Sequence, residues 1–167
     1  MTERRPRILV LGLGNDILGD DAVGLLAARR LRRLLPESVE VIEAGGAGLD
    51  LLDLLEGYDR ALLLDSILTG KYPAGTVLEF TEADFKKDDA SSPHYAGLPP
   101  VFPLASCLDI AFPSQIRIDA MEIENAYEVS EGLSLIVESN LPALIDRGRF
   151  HVLGWLSIED RTGDKPA

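Results

Sequence analysis

The stretch Ile8-Leu9-Val10-Leu11-Gly12-Leu13-Gly14-Asn15-Asp16-Ile17-Leu18-Gly19-Asp20-Asp21-Ala22-Val23-Gly24 decides the fold. Ile8 to Leu13 has the length of a strand and no polar alternation, which suits a strand covered on both faces. Glycines then break the run. Asp20 and Asp21 precede a helical pattern over Ala22–Leu35, with Val23, Leu26, Leu31, Leu34 and Leu35 near one face and Pro36 as its stop. Acids suit that position, because they accept from the free N–H groups of a helix start and complement its dipole.

The same alternation continues outward. Val39–Glu43 reads as a second strand, followed by a Gly-Gly turn and a short helix over Leu49–Leu55. Arg60–Asp65 carries Ala61-Leu62-Leu63-Leu64, a third buried strand ending on an acid. Thr76–Phe80 alternates as a fourth strand, after the turn residues of Tyr72–Gly75. The prolines of Lys86–Pro103 predict a loop, and Val101–Phe112 a helix begun near Pro103 and ended by Pro113. Ile116–Ile123 is the fifth strand, and Ser130–Arg147 the last long helix. Strands alternating with helices predict an α/β fold, a three-layer α/β/α sandwich around a twisted, mainly parallel five-stranded sheet. Residues 1–150 form the domain and 151–167 a tail. In that region Phe150, Val152, Leu153, Trp155 and Leu156 pack on the body or on a partner, and Asp160–Ala167 has a disordered composition.

Composition narrows the function. The chain has 167 residues, enough to bury one core, with 46% hydrophobic and 26% charged residues. Its single cysteine, Cys107, excludes an internal disulfide and a cysteine-rich metal cluster, and the apolar run Leu104–Ile110 predicts it to be a small core residue. A net charge of −12 argues against nucleic acid as a partner. The basic Met1–Arg7 segment and the broken apolar stretch after it suit neither a signal peptide nor a membrane span, so a cytoplasmic protein with no membrane contact is expected. Arg29, Arg30, Arg32 and Arg33 read as a solvated helix face.

In open parallel sheets, ligands gather outside the carboxyl ends of the strands. The loop Gly14–Asp21 and the strand end at Asp65 both fall on that rim. Gly12-Leu13-Gly14 with Glu43 suggests a dinucleotide site, but Ile17 occupies the third glycine position and Asp16, Asp20 and Asp21 crowd the place of a pyrophosphate. Asp21, Asp65 and His94 together offer two carboxylates and an imidazole, an incomplete shell for a divalent transition metal. Each also has an ordinary reading: Asp20 or Asp21 as a helix cap, Asp65 as a turn closer, His94 as a surface residue. The chain holds no His-Glu-x-x-His helix. Ser66 lacks a nucleophile elbow.

Gly12-Leu13-Gly14-Asn15 with Gly19-Asp20-Asp21-Ala22-Val23-Gly24 resembles the N-terminal signature of hydrogenase maturation endopeptidases. The resemblance continues at Gly45-Gly46-Ala47-Gly48, Leu64-Asp65-Ser66, Ser92-Pro93-His94, Glu122-Ile123-Glu124 and Gly132-Leu133-Ser134, from Ile8 to about Arg147. It implies an enzyme that removes the C-terminal extension of the nickel–iron hydrogenase large-subunit precursor after nickel insertion. The family's three metal ligands carry over to Asp21, Asp65 and His94, with the shorter aspartate at Asp21 where glutamate is frequent. It further implies nickel borne by the substrate rather than by the resting enzyme. Polarisation of the scissile carbonyl and activation of water are both compatible with such a ligand set. Two other readings stand beside this one: a dinucleotide-binding oxidoreductase, and a non-catalytic nickel-sensing metallochaperone that uses the same three ligands.

Overall fold

The computed structural model describes residues 4–45, 50–81, 84 and 98–162. Along the chain run β1 (Ile8–Leu13), a 3-10 turn (Gly19–Ala22), α1 (Val23–Leu31), β2 (Val39–Ala44), α2 (Asp50–Leu55) and β3 (Arg60–Ile67). Then follow β4 (Val77–Thr81), α3 (Leu98–Cys107), β5 (Gln115–Glu122) and α4 (Leu135–Thr162). The strands form one five-stranded sheet in the order β2-β1-β3-β5-β4. All neighbours are parallel except β4, which lies antiparallel to β5 at the edge.

Both faces of the sheet are covered, as the apolar runs predict. On one face Ile8, Val10, Leu62, Leu64 and Met121 pack against Val23, Ala27 and Leu31 of α1 and Val137, Leu141 and Leu144 of α4. On the other, Leu9, Leu11, Leu13, Leu63, Ile116 and Ile118 meet Leu51 and Leu55 of α2. Leu52 joins Val101 and Ala105 of α3 in a satellite cluster. This is the expected α/β/α sandwich.

The fit of α1 onto the sheet depends on two glycines. A β-carbon at Gly24 would lie 2.3 Å from the carbonyl oxygens of both Leu13 and Leu64, and one at Gly12 would lie 2.5 Å from the Ala28 β-carbon and 2.6 Å from the Gly24 carbonyl oxygen. Helix and strand backbones therefore touch. Gly14 sits at φ 146°, and a side chain there would strike the Asp21 carbonyl oxygen at 2.1 Å. The chain thus doubles back tightly between β1 and α1.

Several boundaries differ from the sequence reading. Helix α1 stops at Leu31 and unwinds through turns at Arg33 to Leu35, before Pro36. Strand β3 does not end at Asp65 but pairs with β5 through Ile67. Helix α3 begins at Leu98, contains Pro103 and ends at Cys107. Cys107 is exposed, not in the core: α3 turns Val101 and Ala105 inward, and a residue two positions beyond Ala105 falls on the opposite side.

The largest difference lies at the C-terminus. Helix α4 does not stop at Arg147 but runs unbroken to Thr162, across the 150/151 division and into the segment expected to be disordered. Val152 and Trp155 belong to the same core as β1 and β3, and Arg60 on β3 donates to the Trp155 carbonyl at 3.0 Å. Apolar surface on Val152 and Trp155 thus finds its partner within the chain. Phe150 stays 74% exposed, its ring edge-on to that of His151.

Two stability measurements follow. Gly24→Ala forces α1 off the sheet and should cost about 3 kcal/mol in urea unfolding, with an unchanged m-value. Trp155→Ala should cost about 3–4 kcal/mol if residues 151–157 are part of the cooperative unit; a change below about 0.5 kcal/mol would mark them as an independent tail.

Candidate functional site

The site lies where β1 leaves the sheet. Strand β1 pairs with β3 only as far as Gly12 opposite Leu64, whereas β5 stays paired with β3 to Ile67 opposite Glu122. Beyond Leu64 one edge of β3 therefore opens toward the rim, and Asp65 and Ser66 lie on that opening. It falls between neighbouring strands whose connections diverge, the position at which open α/β sheets bind ligands.

Close packing delivers Asp21 to the same place. With Gly24 wedged against the Leu13 and Leu64 carbonyls, the 3-10 turn just before α1 sits over the end of β3. Asp21 is 2% exposed and Asp65 fully buried. Ser66 links them: its hydroxyl donates to Asp21 Oδ1 at 2.7 Å, and its backbone N–H donates to Asp65 Oδ1 at 2.7 Å. One serine thus links two nearly buried carboxylates at the rim, where electrostatic effects act with little screening. Asp21 also precedes the positive end of α1. His94, the third candidate, lies outside the described residues.

Asp20 has a different task. Its carboxylate accepts from the Ser134 N–H at 2.7 Å and from the Ser134 hydroxyl at 2.8 Å, while that hydroxyl faces the Val137 N–H at 3.4 Å. The neighbouring bridge between Leu18 and Ser130 joins the same two segments. Of the two adjacent aspartates, Asp20 is the capping residue, but for the distant helix α4 rather than for α1. Asp65, paired within β3, does not close a turn.

Ser66 is the residue whose role the sequence reading missed. The sequence sets it aside for want of a nucleophile elbow, whereas the structure uses it as a hydrogen-bond donor to Asp21. Its position beside a strand-end acid and opposite a glycine-rich turn was the available signal.

Beside this crevice a cavity of about 350 Å³ is lined by Gly14, Asn15, Asp16, Leu25, Glu43, Ala44 and Gly45. Glu43 is committed to Arg29, at 2.6 and 3.0 Å, and to Arg32 at 2.8 Å. The Arg29 hydrogen bond, against an opposing desolvation, holds the Glu43 carboxyl below its ordinary range. An acid so occupied is poorly placed to bind a ribose, which removes the remaining support for a dinucleotide site. Among the described residues no helix is long and apolar enough to cross a membrane.

Exchanging the two aspartates separates their tasks. Asp20→Ala should lower stability by about 1–2 kcal/mol through loss of the Ser134 anchor, read as a lower unfolding midpoint. An unchanged midpoint would contradict the capping role.

Comparison with known proteins matches this geometry to one group. The hydrogenase maturation protease family model matches residues 25–148, beginning just after Asp21 and including Asp65. Hydrogenase 2 maturation protease of Escherichia coli (strain K12) is 34% identical over 145 residues, covering 83% of this chain and 86% of its own. The structure of the hydrogenase maturating endopeptidase HybD from E. coli superposes with a TM-score of 0.73 at 29% identity, over 84% of this chain and 88% of that one. The [NiFe] hydrogenase maturation protease HybD from Thermococcus kodakarensis gives 0.67 at 27% identity, over 86% and 97%. With its sandwich fold and rim carboxylates, the chain belongs to the hydrogenase maturation protease family.

Proposed function

We propose that Asp21, Asp65 and His94 recognise the nickel carried by the substrate and so make cleavage conditional on metal insertion. The chain is a peptide hydrolase that processes the C-terminus of the hydrogenase large-subunit precursor. The observation that carries the finer reading is the Ser66 bridge, which orients Asp21 and Asp65 at one opening of the sheet. Carboxylate oxygens with an imidazole suit a divalent first-row metal that keeps further ligands of its own. Here those further ligands belong to the substrate, so the ion arrives as part of the substrate and the resting enzyme needs none.

Hydrolysis adds water across the scissile amide: hydroxyl bonds to the carbonyl carbon, the C–N bond breaks, and a proton passes to the leaving amine. Asp21 and Asp65, both nearly buried, contribute by fixing the precursor so that its scissile bond lies beside the rim. Ser66 acts through Asp21 by holding its carboxylate in one orientation, a supporting role that metal sites commonly require. We take the reaction to be cytoplasmic, in keeping with an acidic chain that lacks a membrane-crossing helix among its described residues.

Mass spectrometry of a nickel-loaded large-subunit precursor tests the reading. The wild type should release a short C-terminal peptide from the loaded precursor and leave the nickel-free form intact. Asp21→Asn, Asp65→Asn and His94→Ala should each lower the rate by about 100-fold or more while retaining native circular dichroism. Full activity in any of the three removes that residue from the ligand set, and cleavage of the nickel-free precursor at the same rate overturns metal recognition.

A further inference from the structure

A second group of metal-ligating side chains lies away from the rim, under the C-terminal half of α4. Glu79 of β4 and Asp119 of β5 are register partners across the antiparallel pair, and His151 of α4 lies over them. Asp119 stands opposite Leu64 in β5–β3 pairing, so it shares the face of Leu64 and Met121 toward α1 and α4; Asp65, one residue on, alternates to the other face. The cluster shares no residue with the Asp21–Ser66–Asp65 group; Ser66, which binds Asp21, lies on the same face but two residues past Leu64, opposite Met121.

Its polar atoms are unusually placed. Asp119 is fully buried, and neither of its carboxylate oxygens has a hydrogen-bond partner among the described residues. The His151 side chain is 9% exposed, and its Nε2 likewise has none. Buried polar groups in native proteins are nearly always satisfied, by protein, water or an ion, so three orphan atoms in one place call for a ligand. Burial pushes the Asp119 carboxyl up to about 7 and the His151 imidazole down, outweighing the opposing pull of Arg147 on the first and of Glu79 on the second.

Their spacing identifies the ligand. His151 Nε2 lies 3.5 Å from Asp119 Oδ1 and 3.8 Å from Glu79 Oε1, and the three donor atoms all fall within 4.8 Å of one another. Ligands about 2.1 Å from a tetrahedral zinc ion stand about 3.4 Å apart, with the fourth position left for water. We propose that Glu79, Asp119 and His151 form a structural site for a divalent transition cation of the zinc type, which clasps α4 to the sheet edge. Arg117 donates to Glu79 Oε1, and Arg147 lies 3.7 Å from Glu79 Oε2 while donating to the Val77 carbonyl. Both arginine side chains are 39% exposed, so they can turn to solvent as the dication takes over Glu79 Oε1. The charges of Glu79 and Asp119 then balance the ion.

The test separates this site from the rim. Full-length protein carrying Asp21→Asn and His94→Ala, stripped of metal, is titrated with zinc chloride by calorimetry and thermal unfolding. One equivalent should bind, and Tm should rise by roughly 5–10 °C at zinc about a hundredfold above Kd. Adding His151→Gln should lower the affinity at least tenfold and abolish most of the rise. If His151→Gln fails to fold by circular dichroism, Glu79→Gln on the same background replaces it, with the same expectation. Absence of zinc binding in the rim-disabled protein overturns the proposal, as does unaltered affinity and Tm rise in the folded cluster variant. Neither result bears on the roles proposed for Asp21, Asp65 and His94.

Discussion

Backbone contact between α1 and the centre of the sheet governs the arrangement of the whole molecule. Gly24 has its α-carbon where a methyl group would overlap the carbonyls of Leu13 and Leu64, and Gly12 gives way to Ala28 and to the Gly24 carbonyl from the other side. Helix α1 can therefore sit low across β1 and β3, bury Val23, Ala27 and Leu31, and carry the turn before it to the open end of β3. Asp21 reaches Ser66 because of that approach. A fold that held α1 at ordinary side-chain distance would leave the carboxylate short of the crevice. The glycines that look like a phosphate-binding fingerprint are thus packing residues, and their placement brings Asp21 to Ser66.

Adjacent aspartates divide two tasks by direction alone. Residues one apart on a 3-10 turn point about 120° from each other. Asp21 turns inward to Ser66, while Asp20 turns along the surface to the start of α4. The second contact is structural, yet it ties the candidate site to the longest helix. Helix α4 in turn spans the sheet and covers β3 through Leu144, Val152 and Trp155. Crevice and helix therefore share one cooperative framework, in which the Asp20–Ser134 contact holds the turn that presents Asp21.

Local pattern was enough for β1 and the Ala61–Leu64 run of β3, because a strand buried on both faces must be apolar along its length and few alternatives fit such a run. Helix ends were less legible. The stop expected at Arg147 fell short because a helix packed on a sheet needs only a narrow apolar stripe, and Val152 and Trp155 continue it beyond the polar Asp146-Arg147-Gly148-Arg149 segment. Cys107 was misread for a related reason: within a uniformly apolar run, hydrophobicity does not say which side faces in. Asp119 was equally hidden, an acid between Ile118 and Ala120 of β5 whose neighbours across β4 and α4 lie far away in sequence.

By itself the sequence determined the class of fold, the parallel core strands and the motif carrying Asp21 and Asp65, because these depend on short-range periodicity and on residue types at fixed spacing. Tertiary structure decided what each acid does. Asp20 and Asp21 are chemically identical neighbours, and only the positions of Ser134 and Ser66, remote in the chain, assign one to a helix cap and the other to the rim. The same holds for Glu79, Asp119 and His151, which the pairing of β4 with β5 and the path of α4 bring within a few ångströms. Convergence of distant side chains is a product of packing, and no local pattern encodes it.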